Sequence, residues 1–311
     1  MKLSIVLPIY NEELNIKPLY NSLKSVLNYM KYKYEIIYVD DGSTDNSLNY
    51  VKDLRKKDKN VKIIKFRKNF GQTAALDAGL KYATGDYMII LDADLQNDPK
   101  DIPRLIHKIK EGYDLVVGWR YDRKDPFFKK LSSSCARLLK RLILKEEIHD
   151  PGCTLKIFTK EAVRGLKLHG EMHRYITALL KLKGYKITEI KVRHLSRLHG
   201  KTKYSSKRLI KGFLDLLILK FWMDYSTRPI HFFGGLGILF SLIGFILGIY
   251  LLIDKFIFNQ LIGNRPLLLF SVLLIILGFL LLIFGFLADI MVKIYYNQKN
   301  EEPYSIEYKK F

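Results

Sequence analysis

Two stretches near the carboxyl end decide what this chain can become. Residues 229–253 read PIHFFGGLGILFSLIGFILGIYLLI and residues 266–288 read PLLLFSVLLIILGFLLLIFGFLA, both without a formal charge. Each exceeds the ~20 residues that a helix needs to cross a bilayer. Soluble cores rarely hold two uniformly apolar helices of that length. The pair is therefore expected to be two transmembrane helices joined by a short hairpin at 254–265. The larger amino-terminal part is left to form one sizeable soluble domain.

Charge gives the arrangement a direction. The chain has 52 Lys and Arg against 31 Asp and Glu, a net +21. Beyond residue 228 the bases are Lys255, Arg265, Lys293, Lys299, Lys309 and Lys310, and the acids are Asp254, Asp289, Glu301, Glu302 and Glu307. Nearly all the excess thus precedes the first span. The positive-inside rule places that part in the cytoplasm, and two crossings return the tail 289–311 to the same side. Excess base suits nucleic acid, an anionic membrane surface or a merely solvated face. With two spans present the bilayer is the economical partner, and no nucleic acid is expected. Two cysteines, Cys135 and Cys153, imply no disulfide framework and fit a reduced compartment. The opening MKLSIVLPIY soon meets Asn11, Glu12 and Glu13, so it reads as a strand and not as a signal peptide.

The first 120 residues alternate between two periods. Strand-like runs fall at 3–8, 34–41, 61–66, 87–94 and 114–120, with helical stretches at 12–30, 44–57, 72–83 and 99–111. Ser43 or Thr44 would cap the second helix, and Asp98-Pro99 would start the fourth. Such alternation predicts an α/β domain with a mostly parallel, Rossmann-like sheet and helices on both faces. Further on, 126–144 and 205–229 are basic and amphipathic. The second runs straight into the first span and is expected to lie on the membrane surface, with Trp222 and Tyr225 at headgroup level. For the first, an ordinary surface helix is an equal alternative.

Within this frame one segment carries chemistry. Tyr87 to Gln96 reads YMIILDADLQ, an apolar run ending in Asp92 and Asp94. On an extended chain alternate residues point the same way, and open α/β sheets bind ligands at the carboxyl ends of their strands. Two carboxylates converging there repel each other unless a cation lies between them. Mg²⁺ suits the place, because it takes one or two carboxylates and completes its shell with substrate phosphate and water. YVDDGSTD ends the second strand with Asp40 and Asp41. Alone it reads equally as an Asx-type turn or as a contact for ribose or base.

The conjunction of LPIYNEE, VDDGSTD and LDADLQ, each at a strand end and in this order, resembles the inverting GT-A glycosyltransferases of the family that includes dolichol-phosphate mannose synthase and bacterial polyprenyl-phosphate glucosyltransferases. DPGCTLKIF (150–158), GEMHRYI (170–176), SRLHGKTKY (196–204) and RPIHFFGGLG (228–237) extend the resemblance over essentially the whole chain. It implies a glycosyltransferase domain at 1–204, a juxtamembrane helix at 205–228, spans at 229–253 and 266–288, and a cytoplasmic tail. It also implies a nucleoside-binding loop with Pro8, Tyr10 and Glu12, base and ribose contacts at Val39 and Asp41, and a diphosphate and metal site at Asp92, Ala93, Asp94 and Gln96. Arg120 would lie between the diphosphate and the acceptor phosphate. Arg197 and Lys203 would close over the leaving group, and Lys129 and Ser133 would meet the lipid phosphate. Lys129 stands where other members carry Arg.

The implied reaction moves a hexose from a nucleotide sugar (GDP-mannose or a UDP-hexose) to a dolichyl or undecaprenyl phosphate, with Mg²⁺ or Mn²⁺. It is expected to run as in dolichol-phosphate mannose synthase; glucose and N-acetylglucosamine are the alternatives, and self-association is allowed. The acceptor phosphate is already mostly dianionic at neutral pH, with a second pKa near ~6. It needs cationic guidance more than a general base. A processive polysaccharide synthase would carry a Gln-x-x-Arg-Trp segment, and neither Trp119 nor Trp222 follows an Arg. A non-catalytic basic module would have no use for Asp92, Asp94, Gln96, Arg120, Arg197 and Lys203 together. His173, in EMHRY, has no assigned role, and Cys153 is expected to pack.

Overall fold

The computed structural model describes residues 1–121, 148–166, 168, 170–195, 220, 221, 224, 225, 228–261, 263 and 265–299. The chain divides into two compact units, Met1–Gly212 and Phe213–Phe311. The amphipathic segment at 126–144 and most of that at 205–229 lie outside the described residues.

In the first unit the strands are β1 (Lys2–Ile9), β2 (Lys33–Asp40), β3 (Val61–Lys65), β4 (Tyr87–Ile90), β5 (Leu115–Arg120), β6 (Lys156–Thr159) and β7 (Ile187–Val192). The helices are α1 (Glu13–Met30), α2 (Ser47–Lys57), α3 (Gln72–Tyr82), α4 (Ile102–Ile109), α5 (Lys160–Arg164) and α6 (Ile176–Leu182). The sheet runs β3-β2-β1-β4-β6-β5-β7. β1 pairs in parallel with β2 and β4, β2 with β3, and β5 with β7. Among the described strands β6 alone is reversed, antiparallel to both β4 and β5. The mostly parallel sheet is as expected; the reversed interior strand is not.

Burial on both faces explains the apolar runs. Leu3, Ile5, Val6 and Leu7 of β1 have no exposed surface, and neither do Ile16, Leu19 and Leu23 on the inner side of α1. Asp98 accepts from the Lys100 amide at 2.9 Å, and Pro99 opens the 3-10 turn Pro99–Asp101 that leads into α4. The second helix starts later than its sequence suggests. Ser43 Oγ accepts from the Asn11 amide at 3.0 Å, and the Thr44 amide donates to Asn11 Oδ1 at 2.8 Å. Neither residue is then left to cap α2, which begins at Ser47. These bonds tie the loop after β1 to the loop after β2.

The second unit contains α7 (Ile230–Phe256) and α8 (Pro266–Lys299). Both are long and apolar enough to cross a membrane, over Ile230–Phe256 and Pro266–Ile294, and only 17% of the most apolar window of each is buried. A core helix of a soluble domain would be covered, whereas these present Leu, Ile and Phe outward. Close approach of the two backbones depends on glycine. A Cβ at Gly244 would lie 2.9 Å from the Ser271 carbonyl oxygen, and Ser271 Oγ donates to the Gly244 carbonyl at 2.8 Å. Small residues at a helix interface serve this purpose in membranes. Asp254 and Arg265 form an ion pair across the hairpin.

Candidate active site

The carboxyl ends of β1, β2, β4 and β5 carry most of the residues singled out in the sequence. Pro8 lies in β1 opposite Val39 of β2, and Tyr10 and Glu12 follow in the loop laced to residues 43–47. The Glu12 amide donates to Ser47 Oγ at 2.8 Å, and Glu12 accepts from Asn15 Nδ2 at 2.6 Å. Val39 has no exposed surface, so its side chain is core and its backbone is the part left for the expected contact. Asp41 is buried as well, and it accepts from the Phe70 and Gly71 amides at 2.7 and 2.9 Å. Its carboxylate therefore fastens the loop that leads into α3. Gly42 makes this possible with φ +74°, where an added Cβ would lie 2.6 Å from the Lys68 carbonyl carbon.

β4 ends at Ile90, short of the expected strand over 87–94. Asp92 and Asp94 lie on the turn beyond it, and Leu95 is held at φ 61°. A bulky residue in the left-handed region marks stored strain of the kind that gathers at functional sites. Ala93 and Asp94 are buried, and Asp94 Oδ1 accepts from the Gln96 amide at 3.2 Å. Asp92 Oδ1 accepts from Gln72 Nε2 at 2.8 Å. Burial first, and then the charge of Asp94, push the Asp92 carboxyl up to about 7, against Thr154, Lys156 and Arg120, which favour its charged form. Two hard oxygen donors, one of which is costly to ionise beside the other, fit a divalent cation completed by phosphate and water. Among the described residues no group of three His, Cys, Asp or Glu could hold a metal by itself.

Arg120 ends β5, and its guanidinium grips Asp150, Nε to Oδ2 at 2.6 Å and Nη2 to Oδ1 at 2.9 Å. Arg197, Lys203, Lys129 and Ser133 lie outside the described residues. Leu195, two residues before Arg197 in sequence, donates its amide to the Gln96 carbonyl at 2.9 Å, and Asn97 bridges to His194.

Several site residues were missed in the sequence. Asp150, Thr154 and Lys156 fall in a segment recognised only by resemblance. Asn97 Nδ2 donates to Thr154 Oγ1 at 2.9 Å. Lys156 is 2% exposed and donates to the Cys153 carbonyl. Burial pushes its ammonium down, with Cys153, Asp150 and Asp92 opposing and Arg120 assisting. A lysine in a strand reads as an exposed position, so nothing in the pattern marks this one. Cys153 is buried as expected, and burial pushes its thiol up. His173 Nδ1 lies 2.6 Å from Thr73 Oγ1, on the first turn of α3 beside Gln72.

The description Glycosyl transferase family 2 matches residues 4–166, which opens in β1, closes just past α5, and takes in both carboxylate turns, Arg120 and Asp150. The chain belongs to this glycosyltransferase family. As a family 2 member it is an enzyme with a GT-A domain, and its likeness to relatives continues past that domain. A dodecaprenyl-phosphate galacturonate synthase of Rhizobium johnstonii is 39% identical over 98% of this chain and 92% of its own. An undecaprenyl-phosphate 4-deoxy-4-formamido-L-arabinose transferase of Yersinia pestis is 32% identical over 98% of this chain and 93% of its own. Among solved structures, glucosyl-3-phosphoglycerate synthase of Mycobacterium tuberculosis, in complex with Mn²⁺, UDP and phosphoglyceric acid, matches with a TM-score of 0.55 at 19% identity, over 71% of this chain and 78% of its own. That is a likeness of fold.

Proposed function

We propose that this family 2 enzyme transfers a sugar from a nucleoside diphosphate onto the phosphate of a polyprenyl lipid, at the cytoplasmic face of a membrane that α7 and α8 cross. The observation that carries the reading is the likeness to polyprenyl-phosphate sugar transferases along 98% of the chain, the two apolar helices included. A lipid-phosphate acceptor also gives those helices a purpose.

Chemically the step is one displacement. An oxygen of the acceptor phosphate bonds to the anomeric carbon while the bond to the diphosphate breaks, and the configuration inverts. Asp92 and Asp94, with Gln96, would hold a divalent cation against the diphosphate. When bound, that ion supplies charge neutralisation to the leaving group. Pro8, Tyr10 and Glu12 border the nucleoside, and Asp41 keeps the loop before α3 in place. Arg120, held by Asp150, directs the acceptor phosphate. Arg197 and Lys203 are assigned to the leaving group, and Lys129 and Ser133 to the lipid phosphate.

The sugars named for the two relatives are galacturonate and a 4-deoxy-4-formamido-L-arabinose. These favour a uronic acid or a modified pentose over the mannose expected from the sequence. The test presents membranes holding the protein with undecaprenyl or dolichyl phosphate, Mg²⁺ or Mn²⁺, and a panel of labelled donors: GDP-mannose, UDP-glucose, UDP-N-acetylglucosamine and UDP-galacturonate. Label in the lipid from one donor, lost with Asp94→Asn, is the expected result. Transfer to a water-soluble acceptor with none to lipid would overturn the reading.

A further inference from the structure

β6 is inserted between the strand that leads to Asp92 and the strand that ends in Arg120. Its first residue, Lys156, is in register with Ile90 on one side and Val117 on the other. The loop just before it, Asp150 to Thr154, reaches both halves of the site. Asp150 holds one edge of the Arg120 guanidinium, through Nε and Nη2. Thr154 Oγ1 accepts at 2.9 Å from Nδ2 of Asn97, three residues beyond Asp94, and Thr154 favours the charged form of Asp92. Between them the loop is closed on itself, the Cys153 amide donating to the Asp150 carbonyl at 3.1 Å. The buried Lys156 ammonium donates to the Cys153 carbonyl from beneath. A fully buried lysine is costly, and an apolar side chain would avoid the cost. Gly152 is exposed over the ion pair; a Cβ there would lie 3.8 Å from Asp150 Oδ1 and 3.9 Å from Arg120 Nη2. The approach to the guanidinium is thus kept low by the absence of a side chain.

We infer that the loop Asp150–Thr154, fastened by Lys156, is the element that sets the acceptor-directing Arg120 in register with the donor carboxylate Asp92. Lys156, Thr154 and Asp150 are positioning residues in this scheme. They touch neither the sugar nor the reacting oxygen, and they fix the separation of two groups that do. The inference rests on the transfer reaction proposed above.

The experiment uses the full-length protein in lipid nanodiscs and measures nucleotide-sugar affinity, acceptor KM, kcat and melting temperature. Lys156→Met and Thr154→Val should each lower kcat on the order of 100-fold, as expected when reacting groups lose their alignment. Nucleotide-sugar affinity should stay within about threefold, because the groups that bind the donor remain. Lys156→Arg should restore most of the rate, and the double variant should be no slower than the slower single one, since both cut the same link. Gly152→Val should raise acceptor KM with an unchanged melting temperature. It and Thr154→Val decide the matter if Lys156→Met fails to fold. Rates near wild type in Thr154→Val, donor affinity falling in step with kcat, or multiplying effects in the double variant would each overturn the inference. A wild-type protein that labels no lipid would instead overturn the functional reading.

Discussion

Arg120 and Asp150 meet side-on, with Nε and Nη2 of the guanidinium donating at 2.6 and 2.9 Å to the two carboxylate oxygens, and both side chains are largely buried. Two planar groups paired in this way fix each other's plane. The positive charge at the end of β5 is therefore aimed before any substrate arrives.

A lysine keeps that charge but not the fork. Arg120→Lys should fold with a near-normal melting temperature and lose on the order of 100-fold in kcat/KM for the lipid phosphate. Asp150→Ala should be worse for the fold, because removing one partner of a buried pair costs about 3–5 kcal/mol. Thermal melts and acceptor titrations on the two variants separate the effects.

Asp92 and Asp94 lie on one turn beyond β4, and burial together with the charge of Asp94 raises the cost of charge on Asp92. Asp92→Asn removes that repulsion while keeping the shape and the bond from Gln72. In EDTA at neutral pH this variant should melt a few degrees above wild type, the usual trade between a charged site and stability. Its transfer activity should be lost. A melting temperature below wild type would mean that the pair is not strained.

Glu35 is a test of stability away from the site. It is almost fully buried, accepts from Ser4 Oγ at 2.6 Å and from the Thr84 amide at 2.7 Å, and pairs with Lys62 and Lys2. Burial opposes its charge, but Lys62, Ser4, Thr84 and Lys2 outweigh burial and hold the carboxyl at about 2, below its ordinary 4.5. A depressed carboxylate stabilises fully above its unfolded value, and the contribution disappears as pH falls from there through the folded value. Wild type should therefore lose on the order of 2–3 kcal/mol between about pH 5 and pH 2 that Glu35→Gln does not lose. Urea melts across that range would show it.

Gly42 connects backbone geometry to the donor side. Gly42→Ala places a side chain in the left-handed region, at about 1–2 kcal/mol, and against the Lys68 backbone. Residues 68–71 would have to move, and with them the two amides held by Asp41. Donor KM should rise several-fold with acceptor KM unchanged; a change confined to the acceptor would separate this loop from the nucleotide.

Much of the frame was legible because it depends on local pattern. The first four strands and α1, α3 and α4 follow from period and apolar content, and Asp98-Pro99 marks its turn by chemistry that acts within three residues. β6 was not legible: it is four residues long, begins with a lysine, and is a strand only because β4 and β5 flank it. At Val39 packing beside Gly79 of α3 gives the side chain to the core and leaves the backbone for a ligand, a division that no sequence pattern marks.

The sequence by itself determined the two uncharged apolar helices, the alternation of strand and helix, and the carboxylates that follow β4, since length, period and composition are local properties. Tertiary structure alone decided which side chains those carboxylates and Arg120 would meet. Arg120 finds Asp150 thirty residues away, and Asp92 finds Gln72 across twenty. Such partners are chosen by the order of strands in the sheet and by the loops emerging at one end, and no local periodicity encodes that order.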